Sequence, residues 1–108
     1  MHEEFARRIG QRGFKVVGRE TDNGANVIRF QRAIRIGGKG GNKNEVMERQ
    51  RGIVAAVGKR YSQHGATFEL EGHMPLSPNE GRITKSAREA RRRKLLVIGT
   101  ATFPNGKT

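Results

Sequence analysis

The chain is organised around the stretch IRIGGKGGNKNE, residues Ile34–Glu45, which joins an alternating apolar run to the longest helical pattern in the sequence. Four glycines occupy five consecutive positions here, with Lys39 among them and Lys43 two residues beyond. A glycine-rich turn that opens a helix exposes backbone N–H groups at the positive end of the helix dipole, where a phosphate can bind. A flexible connector with two solvated lysines is the competing interpretation. The phosphate interpretation predicts contacts from Lys39, Gly40, Gly41 and Lys43.

This turn lacks the common nucleotide-binding patterns. A Walker loop places glycine directly before a lysine that Ser or Thr follows, whereas Asn42 and Asn44 flank Lys43. The dinucleotide pattern G-x-G-x-x-G is also absent. Residues 38–41 resemble the G-x-x-G loop of K-homology RNA-binding domains, which clamps a nucleic-acid backbone. In that family the loop joins two helices, whereas a strand is predicted to precede it here, so no residue role is carried over.

Positive charge dominates the composition. The 108 residues carry 22 Lys and Arg against 10 Asp and Glu, a net charge of +12, and arginines outnumber lysines by 15 to 7. The planar guanidinium suits phosphates and base edges, and an excess of this size in a small chain indicates a polyanionic partner. We expect DNA or RNA as that partner. An acidic protein surface is the alternative.

The length predicts a single domain over residues 1–108, with a short polar tail at 104–108. The absence of cysteine excludes disulfides and thiol chemistry, and it fits a reducing compartment such as the cytoplasm. No apolar run approaches the roughly 18 residues that a membrane span needs, so we expect no membrane partner. No cofactor is predicted. The oligomeric state stays open, a homodimer included.

The periodicity predicts an α+β fold with the element order α-β-β-α-β-α-β. We expect a mainly antiparallel four-stranded sheet with two to three helices packed on one face. The Asn23-Gly24 pair predicts a hairpin between the first two strands. The predicted helices cover 2–12, 44 to 61 or 64, and a third stretch to 94 that begins at the capping box of residues 77–80 or, because Gly81 weakens that turn, near Thr84. The predicted strands cover 14–20, 25–36, 66–74 and 95–103.

Several positions carry finer expectations. Arg32 interrupts the apolar face of the second strand, which predicts a bulge or a sheet edge near it. Asn44 is the expected N-cap of the long helix, and Gly65 is its expected stop. Both faces of the last strand are apolar at first, which is typical of a central strand covered on both sides. Tyr61 and Phe103 are the aromatic rings that the apolar pattern assigns to the core least clearly. Because exposed rings for base stacking are scarce, duplex binding is slightly favoured.

Two arginine clusters extend the predicted phosphate contacts. Five cations fall within seven residues near the end of the third predicted helix, which exceeds what a helix C-terminus needs. They are Arg88, Arg91, Arg92, Arg93 and Lys94. The second strand adds Arg29, Arg32 and Arg35, and a basic strand can track a nucleic-acid backbone. A solvated helix end and an ordinary solvated sheet face are the alternatives.

An enzymatic function has one weak candidate site. Glu69, Glu71 and His73 share a strand face at period two, a set that could hold a divalent metal as nucleases do. A solvent-exposed face that balances nearby arginines explains the same pattern. We therefore predict a non-enzymatic nucleic-acid-binding protein with no metal site. The alternatives are a basic inhibitor or accessory module that docks on an acidic protein, and a structural subunit of a nucleoprotein particle.

Overall fold

The computed structural model describes residues 1–36, 41–74 and 94–104. Two helices and four strands lie in these ranges. They are α1 His2–Gln11, β1 Lys15–Asp22, β2 Ala25–Arg35, α2 Lys43–Ser62, β3 Thr67–His73 and β4 Lys94–Phe103. The fold is α+β with one antiparallel four-stranded sheet, as the periodicity predicted. Residues 75–93, which hold the rest of the third predicted helix, and residues 105–108 of the polar tail lie outside the described residues. Lys94, which was predicted to end that helix, instead begins β4.

The sheet has the strand order β1-β2-β4-β3. The hairpin prediction is confirmed, because Asn23 and Gly24 adopt the positive φ angles of 50° and 81° that a primed turn requires. β4 pairs with β2 on one side and β3 on the other, so the last apolar run is a central strand, as predicted.

Both helices pack on the same face of the sheet, where the core lies. Phe5 of α1 sits at its centre and meets four other rings at centroid distances of 5.1 to 6.0 Å. Those rings belong to Phe30, Tyr61, Phe68 and Phe103. Tyr61 and Phe103 are each only 2% exposed, which corrects the expectation that they were the least committed rings.

Two glycines allow rings to approach the backbone closely. Gly99 of β4 lies directly opposite Phe30, and a Cβ there would fall 2.2 Å from the Phe30 ring. Gly58 of α2 lies under Phe68, and a Cβ there would fall 2.6 Å from that ring. Bare backbone at these positions brings β4 against Phe30 and α2 against β3.

The opposite face of the sheet, which we call the open face, carries neither α1 nor α2. Leu96 and Ile98 of β4 point to it and are half-buried. The described helices cover one face of β4. Cover of its other face stays a prediction, because residues 75–93 lie outside the described residues.

The N-cap prediction is corrected by two residues. The cap of α2 is Asn42, whose side chain accepts a hydrogen bond from the Glu45 backbone N–H at 2.9 Å. Asn44 lies inside the first turn. Beyond Ser62 the helix gives way to a turn in which Gly65 has a φ of +91°, as its predicted role as a stop requires.

Arg32 does not interrupt the ladder between β2 and β4. The register runs without a shift from Asn26 opposite Phe103 to Arg35 opposite Lys94. β2 is an inner strand, and the irregularity falls on its partner β1, between Val16 and Gly18. The expected bulge is therefore wrong for β2. The edge alternative is confirmed among the described residues, because β1 pairs with β2 only as far as Gln31 and residues 32–35 pair with β4 alone.

Neither described helix combines the length and the apolar character that a membrane-spanning helix needs.

Candidate nucleic-acid interface

Two cations lie side by side at one end of the open face. Arg35, the last residue of β2, is directly opposite Lys94, the first residue of β4. Both are exposed, and neither forms an ion pair with another described residue. Like charges directly opposite each other in an antiparallel pair are unfavourable. This pair therefore forms a site that an anion would stabilise.

Two further cations point to the open face from β1 and β2. Lys15 is opposite Gln31 in the register, and Arg29 shares the parity of Arg35 along β2. Lys15 has no carboxylate partner among the described residues. Arg29 is partly neutralised, because its Nε donates to Glu20 Oε1 at 2.8 Å. We call Lys15, Arg29, Arg35 and Lys94 the basic sheet end.

The β3 edge of the open face has the opposite charge. Glu69 and Glu71 lie opposite Thr100 and Ile98 of β4. His73 Nε2 lies 2.9 Å from Glu71 Oε2. Both side chains are exposed on this outer strand. The open face is thus basic toward β1, β2 and the start of β4, and acidic along β3.

Arg32 is separated from the basic sheet end because it points to the helix face. Its Nη1 donates to the Arg12 carbonyl at 3.2 Å and to Gln50 Oε1 at 3.3 Å. The guanidinium also lies 5.7 Å from the centroid of the Phe14 ring, within the range of a cation–π contact. The side chain joins the end of α1 to α2. Of the three predicted strand arginines, Arg29 and Arg35 share a face and Arg32 does not.

The N-terminus of α2 already has an anionic cap. Asn42 Nδ2 donates to Glu45 Oε1 at 2.9 Å, so the two side chains are bonded to each other as well as to the helix end. The Glu45 carboxylate also lies beside Gly41, whose φ is +87°. Lys43 is exposed in the first turn. Because a carboxylate stands where a phosphate would approach, this helix end is a poorer anion site than the glycine pattern indicated.

Several predicted contact residues lie outside the described residues. They are Lys39, Gly40, Arg88, Arg91, Arg92 and Arg93.

The rings of this protein are unavailable for base stacking on the open face. The chain has five phenylalanines, one tyrosine and no tryptophan, and all six rings belong to described residues on the helix side of the sheet. Only Phe68 is more than slightly exposed. An interface on the open face would therefore have to act through charge and hydrogen bonds.

A second basic cluster, which the sequence did not reveal, lies between the two helices. A groove of about 460 Å³ is lined by Glu4, Arg7, Arg8, Gln11 and Arg60. Arg8 and Arg60 both approach Glu4 Oε1, at 4.0 and 3.5 Å. The helical periodicity of α1 indicated that Arg7 and Arg8 lie on its polar face. Their proximity to Arg60 depends on how the two helices pack, which the periodicity does not give.

Glu4 is the anion at the centre of that groove. The Tyr61 hydroxyl donates a hydrogen bond to Glu4 Oε1. That bond, with smaller contributions from Arg60, Arg8 and Arg7, lowers the pKa of Glu4 below its ordinary value. The groove is therefore a set of arginines arranged on an ionised internal carboxylate, which competes with any external anion.

The described residues contain no group of three or more His, Asp and Glu side chains that could hold a metal ion. The side chains of Glu71 and His73 contact each other, whereas Glu69 lies opposite Thr100, two residue pairs further along the ladder.

Comparisons of the chain with models of protein families, with curated proteins and with solved structures found no match.

Proposed function

We propose that this chain is a non-enzymatic nucleic-acid-binding protein that contacts the phosphate backbone through the basic sheet end. The observation that supports this most is the pairing of Arg35 with Lys94. Both side chains are exposed, face the same way and have no carboxylate partner among the described residues. A phosphate that bridges them removes their mutual repulsion and gains charge-assisted hydrogen bonds.

The surrounding charges favour an extended polyanion over a single small anion. Lys15 and Arg29 lie on the same face as Arg35 and Lys94, so the cations span three neighbouring strands. Neighbouring strands lie about 4.8 Å apart and each residue rises about 3.4 Å along a strand, so the cations spread over about 10 Å across the strands and about 20 Å along them. In the sequence, Lys94 also ends the run Arg91–Lys94. Successive phosphates of one nucleic-acid strand can occupy such a row.

The buried rings favour duplex or backbone binding over single-strand stacking. Proteins that bind single strands without base specificity stack successive bases on exposed aromatic rings. The open face carries no phenylalanine, tyrosine or tryptophan ring, and its apolar residues include Leu96 and Ile98. We therefore expect a duplex to bind at least as tightly as a single strand with the same number of phosphates.

A double variant that removes both positive charges tests the site. Arg35→Gln with Lys94→Gln removes both cations and keeps polar side chains of similar length. Each lost phosphate contact reduces the steepness of the salt dependence by about 0.9, and at low salt the double variant should bind duplex DNA or RNA at least about tenfold more weakly. Fluorescence anisotropy with labelled duplexes at ~50 mM salt measures this.

The matched control is Arg51→Gln with Lys59→Gln. It removes the same charge from exposed positions of α2, on the helix side of the sheet. We expect this control to lower the affinity less than about threefold, because only the general field changes. Equal losses in both double variants would show that the basic sheet end is not a site. Circular dichroism melts verify that both variants fold.

The alternative of an interaction module predicts a different result in the same assay. If the parent binds no DNA or RNA at ~50 mM salt, where phosphate contacts are strong, nucleic-acid binding is excluded. The positive charge would then be directed at an acidic protein.

A further inference from the structure

A second surface of this protein, on the other layer of the fold, has a different chemistry. A groove of about 530 Å³ runs between α2 and the edge strand β3. Its lining consists of Arg51, Val54, Ala55, Gly58, Lys59, Ser62, Phe68 and Leu70. None of these residues belongs to the basic sheet end. The groove is therefore a surface that the proposed function does not use.

The groove is a recess with an apolar floor. Val54 and Gly58 are buried, Phe68 and Leu70 are half-buried, and Ala55 is the exposed small residue between them. Gly58 has no side chain, so the Phe68 ring lies directly against the helix backbone and forms part of the floor. Apolar surface that water reaches in a recess is stabilised when a partner's apolar side chain fills it.

Two cations stand at the two ends of this floor. Arg51 and Lys59 are eight residues apart on one stripe of α2, which corresponds to about 12 Å along the helix axis. Lys59 forms no side-chain ion pair with a described residue, and Arg51 pairs only with the exposed Glu48. None of the described residues that line the groove is acidic. The electrostatic complement of the groove is therefore a partner with carboxylates about two helical turns apart.

We infer that this groove, which we call the α2–β3 groove, docks an amphipathic helix of another protein that carries acidic residues beside its apolar stripe. The partner's apolar side chains enter between Ala55 and Phe68. Its carboxylates pair with Arg51 and Lys59. Side chains at i, i+3, i+4 and i+7 of such a helix form a stripe that matches the straight edge of α2.

The shape favours a protein helix over a lipid surface. Insertion into a bilayer needs apolar side chains that protrude from the protein, as on an interfacial amphipathic helix. Here the apolar atoms lie at the bottom of a recess, and the residues that stand at its rim are Arg51, Lys59 and Ser62.

A designed peptide provides the probe. It is a blocked, fluorescein-labelled peptide of about four helical turns, with leucines at i, i+3, i+4 and i+7 and glutamates flanking that stripe. We expect anisotropy to show saturable binding to the parent chain. In NMR spectra of the protein, the shifted resonances should belong to α2 and β3 residues of the groove.

Two alanines supply the matched variants. Ala55 lines the groove, whereas its neighbour Ala56 is equally exposed on α2 and does not line it. Ala55→Gln should fill the recess and weaken the peptide about tenfold, while Ala56→Gln should leave its affinity within about twofold. Lys59→Glu should weaken it by a similar factor through charge reversal, and Lys59→Gln by less.

Two control peptides separate docking from general attraction to a basic protein. One replaces the leucines by alanine and keeps the glutamates, and the other replaces the glutamates by glutamine. Both should bind more weakly than the parent peptide.

The inference is overturned by any of three results. These are no binding of the peptide at 1 mM (about −4 kcal/mol), equal binding to the Ala55→Gln and Ala56→Gln variants, or equal binding of the leucine-free peptide. Loss of binding to anionic phospholipid vesicles in the Ala55→Gln variant, without peptide binding by the parent, would identify a membrane surface instead. Because Ala55→Gln leaves the basic sheet end intact, its affinity for duplex DNA should equal that of the parent.

Discussion

Single side chains determine how the two layers of this fold meet. Alternation along β2 placed Arg32 on the apolar face, which led to the expectation of a bulge or a sheet edge near it. In the structure its guanidinium bonds the Arg12 carbonyl and Gln50, partners 20 and 18 residues away in the sequence. Periodicity predicts the face on which a residue lies. It cannot reveal contacts that depend on two helices reaching one strand.

The contact of Gly99 with Phe30 gives a stability prediction. Gly99→Ala places a methyl group 2.2 Å from the Phe30 ring, which is fully buried and cannot move away. We expect a loss of about 1–3 kcal/mol in the free energy of unfolding, measured by urea denaturation. Adding Phe30→Leu to Gly99→Ala should cost less than the two single variants together. Additive losses would show that the two residues are not coupled.

The Tyr61–Glu4 hydrogen bond gives a prediction on pH dependence. Tyr61→Phe removes the main cause of the lowered pKa of Glu4, so that pKa should rise toward its ordinary value in an NMR titration. A lowered folded-state pKa stabilises the fold above the ordinary pKa, and this stabilisation is lost as the pH falls through the lowered value. The parent should therefore exceed Tyr61→Phe in stability near neutral pH, by an amount that shrinks in acid.

A neighbouring hydroxyl provides the control for that titration. Ser62 Oγ donates to the Lys59 carbonyl at 2.9 Å and contacts no carboxylate. Ser62→Ala should leave the pKa of Glu4 unchanged. An unchanged pKa in Tyr61→Phe as well would contradict the assigned cause.

At the scale of elements, the sequence predicted which helices and strands form more accurately than it predicted the residues at which they begin and end. The Asn-Gly hairpin, the long helix and the apolar last strand carry local signals, and all three formed where expected. The cap of α2 did not. Asn42 and Asn44 have the same side chain, and only the backbone geometry after the glycine turn decides which one reaches the Glu45 N–H.

The two asparagines test the position of the cap. Asn42→Ala removes the bond to the Glu45 N–H, and loss of such a cap costs about 1 kcal/mol in the free energy of unfolding. Asn44→Ala should cost nothing or stabilise slightly, because alanine is the better helix former at an interior position. Urea denaturation of both variants measures the difference. A larger loss in Asn44→Ala would place the helix start two residues later.

At the scale of the whole molecule, charge and apolar surface divide between two sides. The basic sheet end lies on the open face, and the α2–β3 groove lies on the helix side. Net charge alone predicted a polyanionic partner, but it could not predict on which surfaces of the fold the cations lie. The sequence offered Arg29, Arg32 and Arg35 as one phosphate-binding cluster, although alternation assigned Arg32 to the other face, and in the structure Arg32 points to the helix face. Arg7, Arg8 and Arg60 met only through helix packing.

The division has a functional consequence that binding experiments can measure. If the two sides act independently, duplex DNA and the acidic peptide bind at the same time, and neither weakens the other beyond the change in net charge. A protein with both surfaces would attach an acidic partner to a nucleic acid.

The salt dependence of duplex binding tests the central claim most directly. The equilibrium constant of the parent for a labelled duplex is measured at several salt concentrations between ~50 and ~200 mM, and log K is plotted against log salt concentration. Contact of the basic sheet end with about three to four phosphates predicts a slope of about −3 to −4. The Arg35→Gln, Lys94→Gln double variant should reduce the steepness by about 2. A parent slope near zero, or the same slope in the double variant, would contradict phosphate contact at the basic sheet end.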